Sequence, residues 1–246
     1  MLFGFKKKYL LKDVLLDNYV DIHSHILPGI DDGADSVETS EDLLKSMRSL
    51  GFSRIITTPH TLPNVWDNTT ESITGAYTKL IKEKQDLTSQ VQLKVASEYF
   101  LDNEFLEKTL EQNNLLTLKD NYLLVELSYL NPPIALNEIL FAIQMKGYQP
   151  VLAHPERYLY YHNTKDTYEA LKNAGCLFQL NLLSVVGYYG KGVMETADYL
   201  LKNGFIDFTG SDIHHKRHIA AFDRKVMIKS IEALKVAMSK NQFFAD

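Results

Sequence analysis

The chain has 246 residues, 45% hydrophobic side chains and a formal net charge of −5. This length allows one large α/β domain with a substantial core. The acidic balance argues against nucleic acid as the main partner, and no amino-terminal apolar run is long enough for a signal peptide or for stable membrane insertion. Cys176 is the only cysteine, which excludes an internal disulfide and suits a reducing cytoplasm.

Residues 1–18 are predicted to form an amphipathic lead-in, and residues 19–246 a single domain. Helix-period segments alternate with seven short apolar runs. One helix is predicted to begin at an Asn68 cap and to continue to Leu87, and the last spans Met227 to Met238. The runs predicted as strands cover residues 19–22, 54–58, 92–96, 122–126, 149–153, 177–181 and 205–210.

Glycines precede several of the strands, at positions where a left-handed residue is expected to end a helix. These positions are Gly51, Gly147, Gly175 and Gly204. Strands such as Leu123-Leu124-Val125 are apolar at consecutive positions, as parallel strands covered on both faces require. The order β then α, repeated, predicts an α/β fold in the form of a distorted TIM-like (β/α)7 barrel. A doubly wound open sheet is the alternative.

Side chains that bind metals recur where the predicted strands end. The first strand runs into Asp21-Ile22-His23-Ser24-His25, in which residues two apart project the same way. In a parallel barrel the carboxyl ends of all strands meet at one face, so these residues are expected to converge. The candidate ligands are His23, His25, one of Asp31 and Asp32, His60, Glu98, Glu126, His154, Asp212 and His214.

A single histidine after a strand is more often an ordinary loop residue than a ligand, but Glu126 within an apolar run is costly to bury unpaired. Five histidines and four carboxylates exceed the coordination of one ion, which predicts two or three divalent cations. Nitrogen and carboxylate donors without thiolate favour Mn, Fe or Zn. Closely spaced cations suit hydrolysis, especially in-line phosphoryl displacement.

Arg157 and Arg217 lie beside these clusters in sequence and are the catalytic candidates, because guanidinium groups match phosphate oxygens. The alternative is that each is a surface arginine. His162 and His218 are predicted to be solvated surface residues, and His215 is left undecided. Aromatic residues that could line the rim of the site are Tyr158, Tyr160, Tyr161, Tyr188 and Tyr189.

These motifs resemble the polymerase and histidinol phosphatase (PHP) superfamily, and within it the metal-dependent protein-tyrosine phosphatases of bacterial capsule and exopolysaccharide gene clusters. The resemblance runs from about Tyr19 to the end of the chain. The chain departs from the pattern near its end. This branch usually has an arginine a few residues beyond the last metal-binding histidine, often before prolines, whereas this chain has Lys216-Arg217-His218. The motifs that carry the resemblance are Asp21-Ile22-His23-Ser24-His25, Leu27-Pro28-Gly29-Ile30-Asp31-Asp32-Gly33, Thr58-Pro59-His60, Glu98, Glu126, Ala153-His154-Pro155-Glu156-Arg157-Tyr158 and Ser211-Asp212-Ile213-His214-His215.

The resemblance implies manganese as the activator and a phosphorylated tyrosine autokinase of polysaccharide export as substrate. The mechanism we expect is attack on phosphorus by a metal-bound hydroxide, which closely spaced cations create at neutral pH. The resemblance also implies Asp32 as the acidic ligand of the first loop and Glu98 as a bridge between two ions. The implied ligand sets are His23, His25, Glu98 and Asp212 for one ion, Glu98, Glu126 and His154 for a second, and Asp32, His60 and His214 for a third.

Three other functions fit the same motifs. A PHP phosphatase for a small metabolite such as histidinol phosphate would share every ligand, whereas a PHP nuclease is disfavoured by the acidic charge. An inactive metal-stabilised scaffold would bind a kinase tail without hydrolysing it. A cysteine-dependent phosphatase is excluded, because Leu182 stands where a Cys-x5-Arg loop starting at Cys176 needs arginine. The composition is compatible with an oligomer.

Overall fold

The computed structural model describes residues 9–112 and 114–245. Residues 1–8 of the predicted lead-in lie outside this part of the chain. The strands of the described part are β1 (Tyr19–Asp21), β2 (Phe52–Thr57), β3 (His60–Thr61), β4 (Leu93–Val95), β5 (Glu98–Phe100), β6 (Tyr122–Glu126), β7 (Gln149–Ala153), β8 (Leu177–Asn181) and β9 (Phe208–Gly210). Its α-helices are α1 (Val37–Ser49), α2 (Thr70–Glu83), α3 (Gln85–Gln90), α4 (Leu136–Met145), α5 (Asp166–Asn173), α6 (Lys191–Lys202), α7 (Lys216–Ala221) and α8 (Ile231–Lys240).

All neighbouring strands are parallel and follow one another in chain order, in the sheets β1-β2-β4 and β3-β5-β6-β7-β8-β9. The two sheets are continuous through two bent strands. Ala96 N donates to Thr57 O at 2.9 Å and Glu98 N to Pro59 O at 3.1 Å, so hydrogen bonding continues from the β2–β4 pair into the β3–β5 pair. Pro59 has no N–H, which interrupts the regular ladder where the second strand bends.

The first and last strands also meet. Beyond β1 and β9, His25 N donates to Ile213 O at 2.9 Å and Asp212 N to His23 O at 2.8 Å, on either side of a parallel bridge between Ser24 and Ile213. The prediction of a distorted TIM-like α/β barrel is confirmed. Its second and third strands are each split in two, which the sequence did not indicate. The sequential strand order is incompatible with the doubly wound alternative.

Apolar residues pack on both faces of the strands, as the consecutive apolar positions predict. Leu123, Leu124 and Val125 are all fully buried. Leu123 and Val125 belong to the large core beneath the helices, whereas Leu124 belongs to a smaller inner cluster that also contains Phe244. Phe244 contacts Tyr122 at the start of β6, so the inner cluster fills the end of the barrel where the strands begin. The opposite end is left for polar side chains.

The helix boundaries differ from the predicted ones in two places. The cap of α2 is Thr69 rather than Asn68, because Thr69 and Ser72 form a reciprocal capping box. Leu87 lies in the separate helix α3, and Met227 precedes α8 and is 57% exposed. The glycines predicted to end helices all have positive φ, at 97° for Gly51, 86° for Gly147, 83° for Gly175 and 71° for Gly204.

The described end of the lead-in packs against the segment after α7. Leu11 is fully buried, and its N–H donates to Arg224 O at 3.0 Å. Within residues 9–112 and 114–245, no helix combines the length and the hydrophobicity needed to cross a bilayer.

Candidate metal centre and active site

The nine candidate ligands converge at the carboxyl ends of the strands. His23, His25 and Asp32 follow β1, His60 and Glu98 begin the short strands β3 and β5, Glu126 ends β6, His154 follows β7, and Asp212 and His214 follow β9. Each residue of a group offers one ligand atom, and the ligand atoms of each group lie within 4.8 Å of one another. The groups are His25, Asp32, His60 and His214; His23, His154 and Asp212; His23, His25 and Glu98; and His60, Glu98 and Glu126.

The distances between these atoms fit shared ions. His23 Nε2 lies 3.2 Å from His25 Nε2 and 3.1 Å from Glu98 Oε2, and His154 Nε2 lies 3.2 Å from Glu98 Oε1. With metal–ligand distances of about 2.1 Å, two ligands of one ion lie roughly 3.0 Å apart at a right angle and about 3.4 Å apart in a tetrahedron. The observed spacings match that geometry.

The buried atoms without a hydrogen-bond partner within the described residues include two candidate metal-binding atoms, Glu98 Oε1 and His60 Nδ1. They still have oppositely charged neighbours: His60 Nδ1 is 2.8 Å from Glu126 Oε1, and Glu98 Oε1 is 3.2 Å from His154 Nε2. Burying an unsatisfied polar atom is costly, so atoms that approach without hydrogen-bonding are suited to a cation placed between them. The donor set therefore fits divalent metals.

Three of the histidines are oriented by a hydrogen bond at Nδ1. His23 Nδ1 is 2.7 Å from Gln179 Oε1, His25 Nδ1 is 2.8 Å from Asp31 Oδ2, and His214 Nδ1 is 2.9 Å from the main-chain oxygen of Asp212. Each of these contacts leaves Nε2 directed at the cluster, as is usual for histidines that bind metals. The structure thereby separates the two acids of the first loop: Asp31 supports His25, and Asp32 belongs to a ligand group.

The charged side chains of the cluster shift one another's pKa values. Although burial opposes protonation, the Glu126 and Glu98 carboxylates raise the pKa of His60 to about 9. Burial likewise opposes protonation of His25, but Asp31 and Glu98 raise its pKa well above the usual range. The His23 and His60 rings outweigh burial and hold the pKa of Glu98 well below its usual range. The carboxylates thus favour positive charge at the positions of their neighbours, which cations would also supply.

The grouping of donors differs in part from the sets that the resemblance implies. His60 lies with Glu98 and Glu126, where His154 was expected, and His154 lies with His23 and Asp212. His154 is still 3.2 Å from Glu98. His60 also takes its expected place in the group with Asp32 and His214.

The loop after β7 has a strained backbone. His154 has φ 37°, and Asp212, which follows β9, has φ 52°. Residues with a Cβ rarely adopt this region, and such strain concentrates at functional positions. His154 is followed directly by a 3₁₀ turn, Pro155–Arg157, which directs Arg157 back over the cluster.

Arg157 lies between two tyrosines at the mouth of the site. Its Nη1 donates to Asp212 Oδ2 at 2.7 Å, and its guanidinium group is 4.8 Å from the ring centre of Tyr129 and 4.2 Å from that of Tyr189. The side chain is 20% exposed. Of the two predicted arginines, Arg157 is therefore the one held at the cluster, with part of its surface open to the cavity.

A cavity of about 210 Å³ opens above the candidate ligands. Arg217 is exposed on α7 and is not among the lining residues. The prediction that His218 is a solvated surface residue is wrong, because His218 is 8% exposed and lines the cavity. His162, which was predicted to be solvated as well, is half-buried. The lining residues are Asp32, His60, Tyr129, His154, Arg157, Tyr189, Asp212, His214, His215 and His218.

Of the tyrosines predicted for the rim, Tyr189 is in place and Tyr158 is not. Tyr158 is fully buried, and its hydroxyl accepts a hydrogen bond from Leu127 N at 2.9 Å. Tyr129 is a cavity residue that the sequence reasoning missed. Its ring is 5.7 Å from that of His154. Its position three residues after Glu126, just beyond a strand end, was the available signal.

Two further polar residues support the site from below. Asn181 ends β8, and its Nδ2 donates to Asp212 Oδ2 at 2.7 Å. Glu156 is fully buried, and its Oε1 accepts hydrogen bonds from Asn181 N at 2.9 Å and from Ser184 Oγ at 2.7 Å. Burial raises the pKa of Glu156 to about 7. Together they fix Asp212 and the loop that carries Arg157.

A barrel with a cluster of metal ligands at the carboxyl ends of its strands defines the class of metal-dependent hydrolase barrels. A family model described as capsular polysaccharide synthesis, CpsB/CapC, matches residues 19–235. The chain belongs to this family.

Two relatives and two solved structures illustrate the similarity. The chain is 30% identical to tyrosine-protein phosphatase YwqE of Bacillus subtilis, over 80% of this chain and 77% of the relative. It is 29% identical to tyrosine-protein phosphatase CpsB of Streptococcus pneumoniae, over 80% and 83%. A crystal structure described as YwqE and CpsB, metal-dependent tyrosine phosphatases of these two organisms, aligns with TM-score 0.76 at 28% identity, covering 90% of this chain and 87% of that one. A lactonase from Listeria monocytogenes, at TM-score 0.51 and 14% identity over 89% and 84%, shares the fold alone.

Proposed function

We propose that this protein is a metal-dependent protein-tyrosine phosphatase, a phosphoric monoester hydrolase. The observation that carries the proposal is the convergence of nine nitrogen and oxygen donors beneath a cavity walled by Arg157 and tyrosines. Relatives named tyrosine-protein phosphatases, matched over 80% of this chain, support the same function.

The proposed ligands of two or three divalent ions are His23, His25, Asp32, His60, Glu98, Glu126, His154, Asp212 and His214. Manganese is the ion we favour, with iron or zinc as alternatives, since these donors suit all three. When bound, such ions supply a hydroxide nucleophile at neutral pH and neutralise charge on the phosphoryl oxygens.

The other residues of the cavity would bind and orient the substrate. Arg157, held by Asp212 and flanked by Tyr129 and Tyr189, would donate to two phosphoryl oxygens. The two tyrosine rings would contact the aromatic ring of a phosphotyrosine. A phenol leaves with a pKa of about 10, so its departure needs less proton assistance than that of an alkyl alcohol. Arg217 stays a prediction, and from α7 it would meet substrate outside the cavity.

The proposal needs no phosphoenzyme. Cys176 is buried, and burial raises the pKa of its thiol to about 12, so it is not a nucleophile at neutral pH.

The substrate we propose is a phosphotyrosine-bearing protein, specifically a bacterial tyrosine autokinase of polysaccharide export, met in the cytoplasm. This proposal rests on the capsular polysaccharide description of the family. The enzyme would then regulate capsule or exopolysaccharide synthesis by removing phosphate from the kinase.

The decisive assay uses protein stripped of metal and reloaded with Mn²⁺. Phosphotyrosine peptide and histidinol phosphate are offered separately, and released phosphate is measured. We expect metal-dependent release from the peptide at a much higher kcat/KM. Turnover of histidinol phosphate alone would replace the proposal with the small-metabolite phosphatase, and no turnover of either would leave the scaffold reading.

A further inference from the structure

We propose that His218 contacts the substrate, donating a hydrogen bond from Nε2–H to a phosphoryl oxygen opposite Arg157. This inference rests on the proposed phosphatase function and adds a second protein donor to the phosphate site. It concerns a residue outside the metal-ligand set, in a segment where the chain departs from its resemblance to the tyrosine phosphatase branch.

The position of His218 is unusual for a histidine on a short surface helix. Although Lys216 and Arg217 on the same helix are exposed, His218 is only 8% exposed and lines the cavity above the ligands. Its ring packs edge-on against Tyr188, with the ring centres 5.0 Å apart. The imidazole is therefore held in one place rather than solvated.

The protonation of the ring follows from its hydrogen bonds. The main-chain N–H of His214 donates to His218 Nδ1 at 3.2 Å. A nitrogen that accepts this bond carries no proton, so the ring is neutral and its proton is on Nε2. Since Nδ1 faces the backbone, the edge that His218 can present to the cavity is the one with Cε1 and Nε2.

The backbone of His218 is fixed as well. Its own N–H donates to His215 Nδ1 at 3.3 Å, so the His215 side chain caps α7 and orients the turn. His215, undecided from sequence, thus has a supporting part. The donor is built into the start of the helix, and orienting it for a ligand costs little entropy.

The remaining cavity wall indicates which ligand such a donor would meet. Tyr189 is a common neighbour of the two groups, with its ring centre 4.2 Å from the Arg157 guanidinium group and 6.4 Å from the His218 ring. A cationic fork on one side and a neutral N–H donor on the other suit a tetrahedral anion with several oxygens. A phosphoryl group seated on the metal ligands would present its oxygens to both.

The test compares four variants of the Mn²⁺-loaded enzyme on a phosphotyrosine peptide. His218→Phe keeps a ring and removes the donor, and we expect kcat/KM to fall roughly 10- to 100-fold, as for one lost hydrogen bond to a charged group. His218→Gln keeps an N–H donor and should recover much of that loss. Lys216→Ala, on the same helix and paired with Asp42 outside the cavity, should stay within about twofold of wild type. Arg217→Ala shows which of two adjacent residues matters.

A binding measurement separates this inference from the phosphatase proposal. Calorimetry with inorganic phosphate should show about tenfold weaker binding to His218→Phe, with Mn²⁺ content unchanged, whether or not any peptide is turned over. Nitrogen NMR of the wild-type protein should show Nδ1 of His218 unprotonated and Nε2 protonated. The opposite tautomer, or wild-type phosphate affinity and kcat/KM in folded His218→Phe, would overturn the inference. So would a loss confined to Arg217→Ala.

Discussion

Asp31 and Asp32 are adjacent residues with different environments. Asp31 is 8% exposed, and its Oδ2 lies 2.8 Å from His25 Nδ1 and accepts a bond from His60 N at 3.2 Å. Asp32 is 56% exposed and belongs to the group with His25, His60 and His214. The pair therefore allows a proposed ligand, Asp32, to be compared with a residue proposed to orient a ligand, Asp31.

Substituting Asp31 should weaken metal binding without removing a ligand. For Asp31→Asn we expect Mn²⁺ affinity to fall about 10- to 100-fold, the usual effect of losing a carboxylate behind a metal-binding histidine. Since all the proposed ligands remain, kcat at saturating Mn²⁺ should fall much less than affinity. Metal titration by calorimetry and kinetics at several Mn²⁺ concentrations measure the two effects. Asp32→Asn, which removes a proposed ligand, should instead lower kcat even at saturating metal. If only Asp31→Asn lowered kcat at saturating metal, Asp31 rather than Asp32 would be the ligand.

The single thiol should not matter for catalysis. Cys176 is 1% exposed, and burial raises its pKa to about 12. For Cys176→Ser we expect kcat within about threefold of wild type and a loss of roughly 1–2 kcal/mol in the free energy of unfolding, because a hydroxyl replaces a sulfur in an apolar setting. A phosphate-release assay and urea unfolding test this. Loss of activity in a folded Cys176→Ser protein would contradict the cysteine-free mechanism.

At this scale the sequence predicted some residues better than others. Glu126 stood out because a carboxylate within an apolar strand has few reasons to be there, and the structure places it 2.8 Å from His60. His218 was misassigned because its sequence neighbours are polar, and only the fold shows that Tyr188 covers it. The polarity of a sequence segment predicts whether the segment is exposed on average. The burial of one residue in it depends on which other segment packs against that residue.

The loop between β1 and α1 shows how one element constrains the site. Gly33 donates its N–H to Asp31 Oδ1 at 3.0 Å, and Ala34 N donates to His25 O at 3.1 Å. A Cβ on Gly33 would lie 2.0 Å from His25 O, closer than any real contact. The loop therefore folds back tightly on the residue that Asp31 orients.

Adding one methyl group there should disturb both the fold and the metal centre. For Gly33→Ala we expect a loss of roughly 1–3 kcal/mol in the free energy of unfolding, as for overpacking, together with weaker Mn²⁺ binding as Asp31 shifts. Gly75→Ala is the matched control, since a Cβ on Gly75 in the exposed part of α2 meets nothing within 4 Å. That control should gain about 0.5–1 kcal/mol. Thermal and urea unfolding measure the stability of both variants, and metal titration measures their Mn²⁺ affinity. Equal stabilities of Gly33→Ala and Gly75→Ala would contradict a steric clash at Gly33.

The elements themselves were predictable to different degrees. Strand cores such as 122–126 and 149–153 carry apolar runs, and the glycines before the strands mark helix ends, so the observed strands β6 and β7 match the prediction. The splitting of β2 from β3 and of β4 from β5 was not predictable, since it depends on how neighbouring strands bend together. The cap at Thr69 was missed because Asn68 is an equally good capping residue, and the choice depends on Ser72 completing the box.

The candidate ligands come from segments between His23 and His214, so the candidate metal centre connects the first strand with the last. The convergence of these side chains was predictable because a parallel barrel gathers its strand ends at one face. The grouping of their ligand atoms was not predictable, because it depends on side-chain directions within a few ångströms. The closing contacts between His25 and Ile213 lie directly beside the ligands. Stability and metal binding should therefore be linked.

This linkage should appear as opposite pH dependences with and without metal. In the metal-free protein, the neighbouring carboxylates raise the pKa of His60 from 6.5 to about 9. A raised histidine pKa means that the folded state binds more protons than the unfolded state in this range. The stabilisation that His60 contributes is therefore fully present below about pH 6.5 and is lost as pH rises towards 9. We expect the free energy of unfolding of the metal-free protein to fall between pH 7 and pH 9. The carboxyls whose pKa is raised to about 7, Asp21 and Glu156, are about half ionised at pH 7 and lose their remaining protons within this range, so they add a smaller loss of the same sign.

Mn²⁺ should remove that loss. Binding requires unprotonated histidines and displaces their protons, so its affinity rises with pH over the same interval. Urea unfolding at pH 7 and pH 9, in EDTA and in saturating Mn²⁺, measures the four free energies. The metal-bound protein should be at least as stable at pH 9 as at pH 7, and calorimetry in two buffers of different ionisation enthalpy should detect proton release at pH 7. Parallel curves in EDTA and in Mn²⁺ would mean that the converging side chains do not hold the ion, because only groups that exchange protons for metal separate the two conditions.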